Sequence, residues 1–135
     1  MYAMRGAAAY GRVSVESNVL SASPHQLISM LFDGAQQAIK SARLHMSNGN
    51  IAEKGKAISK ALDIVNSGLL AAVDKDKGGE LAERLEGLYT YISSLLLKAN
   101  LKNDEALLDE AARLLEDIGS AWKEIGRQAN ADAGA

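Results

Sequence analysis

Apolar residues recur at three- and four-residue intervals through most of this chain, in four blocks separated by short polar breaks. That spacing predicts four amphipathic helices. The first opens at Ser23-Pro24. Ser23 suits the N-cap, Pro24 the first helical position, and Gln26 stands at the spacing of a reciprocal capping box. At 100° per residue, Leu27, Ile28, Leu31, Phe32, Ala35, Ala38, Ile39, Ala42 and Met46 fall on an arc of about 140°. Ser29, Asp33, Gln36, Gln37, Lys40 and Arg43 lie mostly opposite, and Met30 and Leu44 fall outside the arc. Asn48-Gly49 ends this helix near Ser47.

The second block runs from Asn50, a capping residue with Glu53 placed for another capping box, to about Val73. Its apolar arc is wider, about 180°. A bundle seam needs less. Apolar surface is therefore left over around Ile58, Leu62 and Leu69. Residues 74–79 read as a polar turn. Helix three then runs from about Glu80 to Asn100 on a stripe of Leu81, Leu85, Leu88, Tyr89, Ile92, Leu95, Leu96 and Ala99, with Tyr91 and Leu97 beyond it. Asn103 can cap helix four, and Asp104 and Glu105 suit its dipole. Leu107, Ala111, Leu114, Leu115, Ile118, Trp122 and Ile125 form its inward face, and fraying is expected from Gln128. Gly34, Gly55, Gly68, Gly87 and Gly119 interrupt the helices, which predicts close helix approaches.

Short breaks make consecutive helices antiparallel. The expected fold is all-α, an antiparallel up-down four-helix bundle over residues 23–127. An irregular N-terminal arm over residues 1–22 precedes it, and a flexible C-terminal tail over residues 128–135 follows. The arm carries Tyr2 and Tyr10 with several valines among Gly, Ser and Ala. A purely solvating tail would not usually hold such anchors. The arm is expected to pack on the bundle and to cover a surface that a partner also uses.

Composition narrows the function. With 135 residues the chain is one domain able to bury a core unaided. The net charge of −2 gives no electrostatic footprint for nucleic acid. The absence of Cys removes disulfides and thiolate chemistry. No apolar run approaches the roughly 20 residues of a membrane span, and no secretory signal is visible, so a cytoplasmic (cytosolic) protein is expected.

Catalytic chemistry finds no foothold. His25 and His45 sit at opposite ends of helix one, about 30 Å apart by helical rise, and cannot share a metal. The Glu-x-x-His pairs of a di-iron bundle are absent, since Ala22 and Ala42 stand three residues before the histidines. His45-Met46-Ser47-Asn48-Gly49 lacks the lysine of a phosphotransfer histidine, and Gly78-Gly79 lacks the ending of a phosphate-binding loop. The expectation is a binding protein, not an enzyme, with no cofactor and no metal.

Ala22-Ser23-Pro24-His25-Gln26-Leu27-Ile28, followed by Met30-Leu31-Phe32-Asp33-Gly34-Ala35, resembles the signature of the flagellar secretion chaperone FliS family. The resemblance extends to Ala9-Tyr10 with Val13-Ser14-Val15-Glu16-Ser17, Lys60-Ala61 with Ile64-Val65, and Gly78-Gly79-Glu80. It continues through Leu88-Tyr89, Tyr91, Ala99-Asn100, Asn103-Asp104 and Ala121-Trp122-Lys123. Thr90 departs from the acid usual between the two tyrosines, and Ala111 from a common Val. The resemblance implies a cytoplasmic export chaperone that binds the disordered C-terminal region of flagellin. It would prevent premature polymerisation and keep flagellin competent for type III export, with export gate components as further partners. It also implies Tyr10 as an arm residue touching bundle or partner. Ile58, Leu62 and Leu69 are the groove candidates from the helix-two surplus. The alternative is a regulatory helical adaptor that holds an anti-sigma factor or another flagellar protein.

Overall fold

The first turn of helix one forms as its sequence dictates. Ser23 Oγ accepts from Gln26 N at 3.2 Å, and Gln26 Oε1 accepts from Ser23 N at 2.8 Å, so both halves of the capping box are made. The protein is seen here as a computed structural model that describes residues 21–134, with side chains through residue 130. Tyr10 and the rest of residues 1–20 lie outside the described residues. Helix α1 is Pro24–Ser47 and α2 is Ile51–Asp63, which continues as a π-helix over Ile64–Leu70. Helix α3 is Lys75–Lys102 and α4 is Glu105–Gly134. The described residues contain no strand. The helices pack in a ring in chain order, α1 on α2, α2 on α3, α3 on α4 and α4 on α1, an all-α four-helix bundle.

Four details differ from the sequence expectations, each for a local reason. Asn50 does not cap α2, because its φ of −83° and ψ of 77° aim the side chain away from the first turn. Its amide lies 3.4 Å from His45 Nδ1 instead. Residues 74–79 are not a plain turn. Asp74 Oδ1 accepts from Asp76 N and Lys77 N and starts one helical turn. Gly79, at φ 54° and ψ −131°, then breaks the axis before the long part of α3. That conformation is open to glycine and costly for other residues. Asn103 does not cap α4. It adopts the left-handed conformation, φ 53°, and closes α3, while Asp104 Oδ1 takes the amide of Ala106. The backbone of α4 also remains helical to Gly134, past Gln128.

The core is drawn from all four helices. Phe32 and Ile39, Ile58 and Val65, Ile92 and Leu96, and Leu108 and Leu115 are all buried. Leu108, absent from the expected stripe of helix four, is fully enclosed, while Ile125 is exposed. Leu81 is likewise exposed although it lies on an inward stripe, and Ile51 in the first turn of α2 is exposed as well; each sits near an end of the bundle. Leu70 shows the effect of the π-helix. Counted from Ile58 at 100° per residue it falls about 120° from the buried face. The wider π turn brings it back, and it packs on the core. Of the five helix-interrupting glycines, Gly34, Gly68 and Gly119 sit at crossings, against Ile64, Leu31 and Phe32. A side chain at Gly87 would meet open space.

Polar ties between helices are unevenly shared. Helix α1 is tied to α4 by Gln36 Nε2 to the Ala112 carbonyl (2.8 Å), Trp122 Nε1 to the His25 carbonyl (3.0 Å), Lys123 to Asp33 and Arg43 to Asp109. Helix α2 and its π segment are tied to α3 by Ser93 Oγ to Asn66 Oδ1 (2.7 Å) and by the buried Lys54. Lys54 Nζ donates to the Asn100 carbonyl and Asn103 Oδ1, both at 3.1 Å. Between these two pairs of helices, the described side chains make one inter-helix hydrogen bond, Tyr91 to Glu110. The remaining contact across the seam is apolar.

Candidate functional site

The N-terminus of α1, the end of the π segment, the start of α3 and the second half of α4 meet at one end of the bundle and do not close on each other. They leave an apolar groove of about 560 Å³. Ile28 and Phe32 of α1 line it, with Ile118, Ala121, Trp122 and Ile125 of α4. The other wall is Leu69, Ala72 and Val73 after the π turn, and Leu81, Ala82, Leu85 and Tyr89 of α3. Asp74, Lys77 and Gly78 edge it. The groove therefore lies on the apolar seam between the two helix pairs. Small residues hollow it out: Ala72, Ala82 and Ala121 leave room between the larger walls. Exposed apolar surface in a continuous concave patch marks a binding site more than scattered surface leucines do.

Trp122 forms a fixed wall. Its indole stacks on the imidazole of His25, with ring centroids 4.5 Å apart and an angle of 11°, and its Nε1 donates to the His25 carbonyl. Gly126 makes the stack possible, because a Cβ there would fall within the His25 ring. With Nε1 engaged, Trp122 offers a guest only apolar surface. Tyr89 is nearly wholly buried beside Phe32, at a ring distance of 6.5 Å. Burial pushes its hydroxyl up to about 12.

The residues picked from the surplus of helix two are distributed differently. Ile58 is fully enclosed in the core and presents nothing to a partner in this form of the bundle. Leu62 is half-buried against the core. Leu69 is also buried, and it is the one of the three that lines the groove. Leu81 and Ile125 do not read as groove residues in the sequence because both lie on inward faces. Their positions near helix ends, beside Gly79 and the alanine-rich end of α4, were the available signal. Two other depressions run along α1. They are edged by charged and amide groups such as Asp33, Gln36, Lys40 and Arg43, and lack a comparable apolar lining. Among the described residues no cluster of His, Cys, Asp or Glu could hold a metal ion, and no helix is long and apolar enough to cross a membrane.

Comparison with known proteins places these features in context. The family described as flagellar protein FliS matches residues 6–129. The flagellar secretion chaperone FliS of Salmonella typhimurium is 51% identical over 130 residues, 96% of each chain. That of Escherichia coli is 44% identical over 124 residues, 92% of this chain and 91% of the relative. The flagellar secretion chaperone FliSB of Pseudomonas aeruginosa is 43% identical over 125 residues, 93% of this chain and 98% of the relative.

Proposed function

This chain belongs to the FliS family of flagellar secretion chaperones, and we propose that its client is the disordered C-terminal region of flagellin, received in the apolar groove between the two helix pairs. The observation that carries this reading is the groove itself, a concave apolar surface with Leu81 and Ile125 exposed at its mouth. An unpolymerised filament subunit carries amphipathic segments whose apolar faces are meant for other subunits. A groove of this kind takes such a face by helix-in-groove docking. While the segment is held it cannot polymerise, and it stays unfolded enough for export. The segment folds as it binds, which costs several kcal/mol, so more surface than the groove alone is expected to be covered. Leu88 and Tyr91, exposed on α3 outside the groove, are available to extend the contact. The proposed place of action is the cytosol, before export.

Co-purification tests the proposal. The chain should form a stable complex with full-length flagellin and none with flagellin lacking its C-terminal segment. Equal recovery of both forms would refute the assignment of the client region. Removing residues 1–20 tests the arm: competition predicts unchanged or tighter binding, whereas a large loss would make the arm part of the binding surface.

A further inference from the structure

On the apolar walls of the groove one polar group makes no hydrogen bond within the described residues. Tyr89 is 4% exposed, yet its hydroxyl bonds to no other described residue, and it is not sealed off from solvent either. Side chains of a helix lean toward its N-terminus. In α3 that direction is the open end of the bundle, where Tyr89 lines the groove. The other polar group on the apolar walls, Trp122 Nε1, is already bonded to the His25 carbonyl. A hydroxyl with no protein partner and access to solvent is free to bond a guest, and a guest that shuts out water must supply that bond. A tyrosine hydroxyl is already protonated in the neutral range and burial moves its pKa further up, so it is present as a donor.

We propose that the Tyr89 hydroxyl is the specificity-determining contact of the groove, donating a hydrogen bond to an uncharged carbonyl oxygen of the bound segment. A carboxylate is disfavoured, because it would shed water with only the exposed Lys77 at the rim to balance its charge. A carbonyl is favoured, because a helix that ends in the groove brings its own unpaired terminal carbonyls with it. The groove then distinguishes a segment whose helix ends at Tyr89 from one that is merely apolar. This rests on the reading that the groove is the client site, but its test does not depend on the client.

The test compares the parent chain with Tyr89→Phe, using two probes of nearly equal shape, benzophenone and diphenylmethane, which differ by one carbonyl. Tyr89→Phe should weaken benzophenone binding about five- to tenfold, the worth of one neutral hydrogen bond. Diphenylmethane affinity should stay unchanged. The free variant should melt at the same temperature as the parent or higher, since the hydroxyl it loses was unpaired. Equal benzophenone affinity in the two proteins would overturn the proposal, as would equal losses for both probes, which would mean that only packing had changed. The flagellin C-terminal segment is a separate arm. Failure of both proteins to bind it, with the benzophenone difference intact, would remove the client assignment and leave the Tyr89 contact standing.

Discussion

Gly126 and His25 show how much can hang on the absence of one carbon. The imidazole occupies the space of the missing Cβ, stacks on Trp122, and so fixes a wall of the groove. Gly126→Ala should cost about 1–3 kcal/mol in urea denaturation, the usual range for overpacking. It should also change the emission of Trp122, the only tryptophan in the chain. Combining it with His25→Ala should cost less than the sum of the two single changes, because the clash is then gone. None of this was legible in the sequence. His25 reads as an ordinary residue of a first turn, and its partners lie on the last helix. A residue's neighbours along its own helix are written in the chain, but its neighbours across the bundle are not. Lys54 illustrates the same limit. It falls on the buried side of α2 and caps the end of α3, a role that depends on where α3 stops.

Among the elements, the first helix was fully readable because its signal is reciprocal: Ser23 and Gln26 each need the other, and both bonds form. Asn50 and Asn103 were ambiguous, since asparagine serves at either end of a helix and in the left-handed conformation as well. The backbone angles decided both cases, against the single-residue preference. The π segment was invisible to a fixed 100° count, which placed Leu70 off the buried face. Deleting Ser67, which is exposed and bonds only to Asp63 within the same helix, should convert this stretch to α-helix. Leu70 would then stand about 20° from Ile58 and keep its place on the core, while Leu69, now buried, would turn about 80° off that face. Helicity by circular dichroism should be kept, while stability falls by about 1–3 kcal/mol for the lost burial. An unchanged denaturation midpoint would show that Leu69 contributes little where it now lies.

At the scale of the whole molecule, four periodic blocks with short breaks were enough to read the bundle and its chain-order packing. The groove was not, because a helical wheel separates inward from outward and says nothing of position along the axis. Ile58 reads as surplus apolar surface of helix two and Leu81 as an inward residue of helix three, and the structure reverses both. One is at mid-bundle and sealed, the other at an open end. Ile58→Ala should therefore cost about 2–5 kcal/mol in denaturation. Leu81→Asp should change stability by less than about 0.5 kcal/mol, yet weaken capture of flagellin in co-purification. A folded Leu81→Asp variant that still binds at parent strength would exclude the groove mouth from the contact. The division of polar ties bears on how the molecule yields under load. Hydrogen bonds are directional and resist sliding within the α1–α4 and α2–α3 pairs. Apolar contacts are non-directional, and across the seam only Tyr91 to Glu110 adds a directional restraint. Directional restraint is therefore concentrated within each pair and sparse between them, and the sparsely restrained direction is the one that would widen the groove.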